Sequence, residues 1–509
     1  MNKYVFSAIV ALVGGMNVNA QSAYDAETMT NSDLNGTARY VGMGGALGAL
    51  GADLSTMSNN PAGTGLMRTS DVSFTFGGQF TGNSGALGFD AGRASIDQAG
   101  ILFALGGAGG SMRAFNFGVN YQKKRNFLSN LNTPVALNGG SQTFQLVEMS
   151  NFAYDDNNNF GLLVDATAPY HDEKGDYDGL FYDNYYDYMN GTANTYNFYG
   201  IPADYADYQR SVHGSNAQVD FNLSANFNDQ LFLGLSVGLY SMVYDRQTAY
   251  YELGVDGYDY TINNWYHNSA DGVDLKLGAI LRPVESSPFR IGLTIHTPIW
   301  YHLRDYNSFY IDALDYGEDI AEREYNFRTP WKFGLSLGHT VGNFLAFGLE
   351  YELQDYSSCK YYNGSFNNYY NGGANLNIKE NLQTMHTLKI GMEMKPTDEL
   401  SIRLGYNYVS SPFKNGAYNM LDYNNMEFTE TDYTNWKAIN RITFGFGYRF
   451  KGGYFDMAYQ YQMQNGDFYA YDYDGVEHAY VGAGGDLKIA PTQISNNRSQ
   501  IIATLGFKF

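Results

Sequence analysis

Along most of the chain, apolar and polar residues alternate with a period of two. At the C-terminus Ile501, Ala503, Leu505, Phe507 and Phe509 share one face, and Gln500, Ile502, Thr504, Gly506 and Lys508 the other. The same rule separates Leu388, Ile390, Met392 and Met394 from Thr387, Lys389, Gly391 and Glu393. It also separates Ile442, Phe444, Phe446, Tyr448 and Phe450 from Thr443, Gly445, Gly447 and Arg449. Period two marks a strand with unlike surroundings on its two faces, and about nine to eleven such residues cross a bilayer at a tilt. The pattern predicts fourteen strands, at 70–81, 98–106, 112–125, 216–228, 230–250, 271–282, 289–307, 323–340, 343–358, 385–395, 399–411, 438–450, 453–468 and 497–509.

The predicted connections fall into two alternating kinds. Short ones lie at 107–111, 229, 283–288, 341–342, 396–398 and 451–452; long ones lie at 82–97, 126–215, 251–270, 308–322, 359–384, 412–437 and 469–496. Tight turns alternating with long loops are the pattern of an outer-membrane barrel with periplasmic turns and extracellular loops. The expected fold is therefore all-β: a 14-stranded antiparallel transmembrane β-barrel, residues 70–509. Glycines at 334, 338, 391, 405, 445, 447 and 506 then face the lumen, with Lys332, Lys389, Glu393, Arg403 and Arg449. Fourteen strands enclose more space than their own side chains fill, so the lumen must hold water, a ligand path or a plug.

Composition strengthens this picture. The chain has 46 Tyr, 33 Phe and 58 Gly but one cysteine and eleven prolines, so disulfides do not hold it together. Lys3 followed by the apolar run Val5 to Val13 and the small residues Val18 and Ala20 predicts a signal peptide, residues 1–20, cut after Ala20. No later stretch is long and apolar enough for a transmembrane helix. A net charge of −21 disfavours nucleic acid as a partner.

Residues 21–69 precede the first strand and read as an N-terminal plug. Arg39 to Leu54, RYVGMGGALGALGADL, places Gly42, Gly44, Gly45, Gly48 and Gly51 where a compact segment can press on a glycine-lined wall. A turn follows at Asn59-Asn60-Pro61-Ala62-Gly63. Pro61 fixes its own φ and holds Asn60 extended, and Asn side chains can satisfy turn amides. The run GTARYVGMGGALGALGADLSTMSNNPAGTG resembles the N-terminal hatch of the long-chain fatty acid and hydrophobic-compound outer-membrane transporter family (FadL/TodX-like). There a Gly/Ala-rich segment leads to an Asn-Pro-Ala motif, matched here at Asn60, Pro61 and Ala62. The Gly-Met-Gly-Gly-Ala and Asn-Asn-Pro-Ala-Gly forms look closest to Bacteroidetes members. The resemblance implies passive uptake of apolar molecules such as long-chain fatty acids. Extracellular loops capture them, a hatch-gated lumen passes them, and they leave sideways through a gap in the wall. In the family the gap comes from a distorted third strand; here Gly118, within 112–127, is its candidate position. Asn60, Pro61, Ala62 and Gly63 are then the candidate gating motif.

The long third loop holds the remaining candidate chemistry. Its segment 128–153 is read as the helical part of a capture surface, with Leu131, Val135, Phe144 and Leu146. Phe181, Tyr185 and Tyr186 extend that surface as amphipathic rings. The Tyr- and Asp-rich stretch 170–208 also admits a calcium site or a merely soluble loop. Asp472-Tyr473-Asp474-Gly475 lacks the remaining ligands of a calcium loop, and the eight histidines form no HExxH. No metal, no cofactor and no enzymatic activity are expected, and no Cys-His set is present. The expected partners are a hydrophobic small molecule and outer-membrane lipid, with the chain a monomer. A docking role in protein secretion is the alternative.

Overall fold

A computed structural model describes residues 22–82, 86–87, 91–137, 140–146, 170–171, 177–180, 182–183, 198–255, 257–362, 373–419, 431–471 and 490–509. Fourteen antiparallel strands follow one another around a closed barrel. They are β1 Asp71–Thr81, β2 Gly92–Gly109, β3 Met112–Asn126 with its continuation Ser129–Pro134, β4 Ala203–Phe227, β5 Leu231–Gly254 and β6 Asp259–Leu281. Next come β7 (Arg290–His296 and Trp300–Ile311), β8 (Tyr316–Arg328 and Lys332–Val341) and β9 (Leu345–Asp355 and Lys360–Tyr362). The last are β10 Thr384–Met394, β11 Leu400–Val409, β12 Tyr433–Phe450, β13 Gly453–Tyr469 and β14 (Thr492–Ser495 and Arg498–Lys508). Closure is direct, from Asp71↔Lys508 to Thr81↔Arg498. The first and last strands are thereby paired with each other, as a lipid environment requires.

The outer face follows the predicted alternation. Ile442, Phe444 and Phe446 are exposed while Arg441 and Thr443 are buried, and Leu505 and Phe507 point outward around buried Thr504. Leu233, Val237, Leu239, Leu275, Leu277, Phe333, Leu335 and Ile390 continue this apolar belt. Its exterior and its even strand number are those of a bacterial outer-membrane barrel.

Two expected long loops are hairpin ends instead. β5 and β6 stay paired from Leu231↔Leu281 out to Leu253↔Asp259, so 251–270 is not a loop. Likewise β7 and β8 pair to Ile311↔Tyr316, which leaves only a tight turn within 308–322. The reason is physical: beyond the membrane both strand faces meet polar surroundings, so pairing persists where apolar alternation stops. The barrel therefore rises above the lipid on the side of β4 to β8.

The expected continuous strands 289–307 and 323–340 are each broken, at 297–299 and 329–331. Pro298 and Pro330 cannot donate to a ladder. Each break exchanges the two faces, as a one-residue slip must. Before it, Leu293 and Ile295 point outward; after it, Tyr301 and Leu303 are buried inside. On β8, Tyr325 and Phe327 are buried while Phe333 and Leu335 are exposed.

Residues 22–66 run through the interior. They comprise α1 (Ala23–Thr30), the short helices α2 (Ala38–Gly42) and α3 (Thr56–Asn59), and a 3₁₀ helix at Pro61–Leu66. α1 is capped by Ser22, which exchanges hydrogen bonds with Asp25 in a capping box. Outside, α4 (Gly373–Asn381) packs on α1. The third loop is helical at 142–146; residues 147–169 lie outside the described part.

Candidate functional site

The N-terminal segment is held at three heights. Uppermost, Ala23 N donates to Asn377 Oδ1 (2.8 Å), and Tyr24 donates to Asn435 Oδ1 (2.8 Å) while stacking on Phe413 with ring centroids 5.0 Å apart. Below α1, Asp33 accepts from Arg498 Nη2 (2.9 Å) and Asn126 N (2.9 Å). Burial alone would raise the Asp33 carboxyl, but the guanidinium groups of Arg498, Arg441 and Arg125 outweigh it and hold it below the usual carboxylate range. The tether accordingly persists at neutral pH and is lost only as pH falls through that depressed value.

The lowest height carries most of the contacts. Arg39 Nε donates to Glu393 (3.1 Å), and its Nη1 donates to Ala52 O (2.8 Å). Glu393 also receives Arg403 (2.7 Å). Glu350 accepts from Gly48 N (2.9 Å), Asn59 Nδ2 (3.0 Å) and Lys389 Nζ (2.7 Å). These lumen ion pairs brace the segment, whereas Arg449 lies exposed at the periplasmic rim.

Backbone presses on backbone between these anchors. A Cβ on Gly391 would strike the Met43 carbonyl, one on Gly405 the Gly44 amide, and one on Gly348 the Ala46 carbonyl. Gly445 faces the Gly42 Cα at 3.1 Å, measured from an added Cβ. Gly338 stands against Ala49 and Leu50. Gly334, Gly447 and Gly506 do something else: they make room for wall side chains, namely Thr294, Arg403 with Asp456, and Tyr454. Within the segment Gly44 and Gly45 have positive φ (62° and 81°), as does Gly51 (60°), which only glycine adopts without strain. Gly48 has no such φ; any Cβ there would meet the Glu350 carboxylate.

The Asn60-Pro61-Ala62-Gly63 corner closes back on this run. Asn60 Nδ2 donates to Gly48 O (2.7 Å), and its Oδ1 accepts from Ala62 N (3.2 Å) as the cap of the 3₁₀ helix. His296 Nε2 donates to Asn59 O (2.8 Å), a buried role that no motif signalled. Pro61 opens the 3₁₀ helix and its carbonyl accepts from Asn222 (3.2 Å). Ala62 is buried against Phe232 and Ile280. Gly63 O accepts from Ala52 N (2.9 Å), and a Cβ on Gly63 would come within 2.8 Å of Thr56 Oγ1. Asn60→Ala strips Gly48 O and Ala62 N of partners at a buried site, at about 1–3 kcal/mol. Tryptic cleavage after Arg39 in the folded protein is expected to rise about tenfold, with the heat-modified gel mobility of the barrel unchanged.

Above the anchors the lumen turns apolar. Tyr240, Tyr244, Tyr301, Leu303, Tyr325 and Phe327 are buried in one cluster with Ala23, Ala26 and Met29 of α1. The sequence does not mark this chamber, because the breaks at Pro298 and Pro330 decide which residues of β7 and β8 enter it. Beneath it lies a cavity of about 120 Å³ with polar walls, among them Lys124, Asp274, Lys276 and Lys332.

The candidate capture residues sit in a separate cap. Leu131 and Leu146 are buried against Tyr208, Tyr250 and Tyr260, with Val135 packed at the margin. Phe144 is buried beside Gly200. Glu252 ties this loop down by accepting from Ser141 Oγ and from Gln142 N (2.9 Å). Phe181, Tyr185 and Tyr186 lie outside the described residues. Gly118 sits in an unbroken part of the wall, paired with Leu102 on β2 and Asn222 on β4, with Met57 packed over it. Among the described residues no group of three or more His, Cys, Asp or Glu could hold a metal ion.

No protein-family model matches the chain, and no curated protein matches it by sequence. Solved structures do match. A Pseudomonas aeruginosa FadL homologue aligns over 94% of this chain and 100% of its own, at 13% identity and a TM-score of 0.51. The CymD monoaromatic hydrocarbon channel covers 94% and 99% at 10% identity, with a TM-score of 0.49. The Ralstonia pickettii toluene transporter TbuX covers 94% and 99% at 13% identity, also at 0.49. The first likeness shows the fold: a barrel of the kind seen in that FadL homologue.

Proposed function

We propose that the protein carries hydrophobic small molecules passively across the outer membrane, long-chain fatty acids being the class that the N-terminal motif suggests. The observation that carries this reading is the aromatic chamber in the upper lumen. A general diffusion pore has a wet, charged constriction. This chamber is instead lined by Tyr301, Leu303, Tyr325 and Phe327 and filled by the small-residue face of α1. An apolar guest that displaces α1 gains the same burial, at roughly 25 cal/mol per Å². The resemblance of residues 36–68 to the FadL hatch and the shared fold support the same role. Residues 22–66 act as the hatch, with Asn60, Pro61, Ala62 and Gly63 locking the glycine run to the wall. Guests leave the lumen sideways into lipid, which avoids both the polysaccharide layer and a watery pore.

Leu303→Asn places an amide among these rings without adding charge. A fluorescent long-chain fatty acid is expected to bind the nanodisc-embedded protein saturably. Its Kd is expected to rise about tenfold in Leu303→Asn, since an unpaired buried amide costs about 1–3 kcal/mol. Equal binding by the two proteins, or none by either, overturns the chamber as the ligand site.

A further inference from the structure

The paired breaks in β7 and β8 lie directly opposite each other. The ladder is regular up to His296↔Lys332 and resumes at Trp300↔Arg328. Between them, Thr297-Pro298-Ile299 faces Thr329-Pro330-Trp331. Two described hydrogen bonds cross this interval: Ile299 N to Thr329 Oγ1 (2.8 Å) and Thr329 N to Ile299 O (3.1 Å). Thr297 turns to the other neighbour, donating its N–H to Leu275 O and accepting from Leu275 N at 2.9 Å each. Pro298 and Pro330 have no N–H to give. The break in β8 also faces one in β9, at 356–359 between Lys332↔Gln354 and Arg328↔Lys360, where Tyr356 and Cys359 are buried.

This seam separates lumen from lipid. On the inside, Thr297, Ile299, Thr329 and Pro330 form part of the wall of the 120 Å³ cavity, and Ile299 belongs to the aromatic cluster. On the outside, Trp331 is 48% exposed and stacks with Phe333. Beyond Trp331 the outer face becomes charged, with Arg304 and Glu324 paired at 3.0 Å and half exposed. The seam thus marks the extracellular edge of the apolar belt, next to the outer leaflet. Parting it breaks two hydrogen bonds, each worth about 1 kcal/mol net, where a regular ladder would resist along its length.

We propose that the Thr297–Ile299/Thr329–Trp331 seam between β7 and β8 is a lateral portal, through which apolar molecules pass between the lumen and the outer leaflet. The portal rests on the uptake reading above and places its sideways exit, which the continuous wall around Gly118 does not supply. Ile299 and the neighbouring Tyr301 offer the apolar inner lip, and Trp331 the outer one.

The test uses the full chain in lipid vesicles that contain a diazirine-bearing hydrocarbon dissolved in the bilayer. On illumination, lipid-facing Phe444 is labelled in every case and serves as the internal standard. Inward-facing Ile299 is expected to be labelled in the wild type. Its labelling is expected to fall about tenfold in the double variant Pro298→Val/Pro330→Val, which restores two ladder donors. Joining Ile295→Cys to Phe333→Cys, which are Cα partners on the lipid face just below the seam, locks it by a second route. Reducing that disulfide is expected to restore Ile299 labelling. No labelling of Ile299 in the wild type, or equal labelling in the open and locked proteins, overturns the portal. Uptake is read separately: normal uptake by the locked protein refutes the portal alone, whereas absent uptake in the wild type despite labelled Ile299 refutes the transport reading and leaves the portal standing.

Discussion

Replacing Gly348 and Gly405 together by valine is expected to drive the N-terminal segment out of the barrel while the barrel still forms. The new Cβ atoms would meet the Ala46 carbonyl and the Gly44 amide, which are backbone and cannot rotate away. Each overpacked position costs about 1–3 kcal/mol, and both act on one short run of chain. Valine itself suits a strand, so the wall is not weakened by propensity. Dislodging residues 36–54 would also strip Arg39 and Gly48 from Glu393 and Glu350. The expected readouts are tryptic cleavage after Arg39 faster by roughly a hundredfold and a large stepwise conductance in planar bilayers. A silent bilayer together with wild-type protease resistance would show that the wall glycines do not seat the segment.

Deleting residues 22–30 removes α1 alone and has the opposite character. The helix contributes Ala23, Ala26 and Met29 to the aromatic chamber, yet Arg39, Gly48, Asn59 and Asn60 keep their own anchors below it. Apolar guests no longer have to displace a packed helix, so their affinity rises by the share that displacement had cost. Fatty-acid affinity is expected to increase about tenfold. Permeability to sugars should stay at the wild-type level because the lower plug remains. Increased sugar flux would place the seal at α1; unchanged fatty-acid affinity would mean that the chamber is not the guest's site.

The extent to which this molecule is legible in its sequence follows what each residue touches. Strands such as 442–450 and 501–509 are readable because lipid on one side enforces apolar alternation. The upper reaches of β5 and β6, around Asn263 and Asn264, touch no lipid, and their pairing leaves no such trace. Pro298 and Pro330 are visible as residues, but their consequence, an exchange of faces, appears only when both neighbours of each strand are known. The glycine wall was readable in part: Gly338, Gly391, Gly405 and Gly445 receive backbone of the segment, while Gly334, Gly447 and Gly506 shelter side chains of the wall. In the sequence the Asn60-Pro61-Ala62 corner reads as a turn. Its Asn60 bond to Gly48 makes it a clasp across the plug itself. Gly65 contributes little to that clasp, because an added Cβ would meet only ordinary contacts from 3.4 Å outward. Glu252 and His296 were not foreseeable, since each depends on a partner more than a hundred residues away.

The central claim is that an apolar chamber gated by residues 22–66 carries hydrophobic molecules through a barrel closed to water-soluble ones. It is tested most directly by uptake into vesicles whose outer leaflet is lipopolysaccharide, with a fluorescent long-chain fatty acid and a labelled sugar supplied together. The account predicts that vesicles bearing the protein take up the fatty acid faster than empty vesicles, with no added sugar flux, and faster still after deletion of residues 22–30. Fatty-acid uptake equal to that of empty vesicles, or sugar entering with the fatty acid, would contradict it.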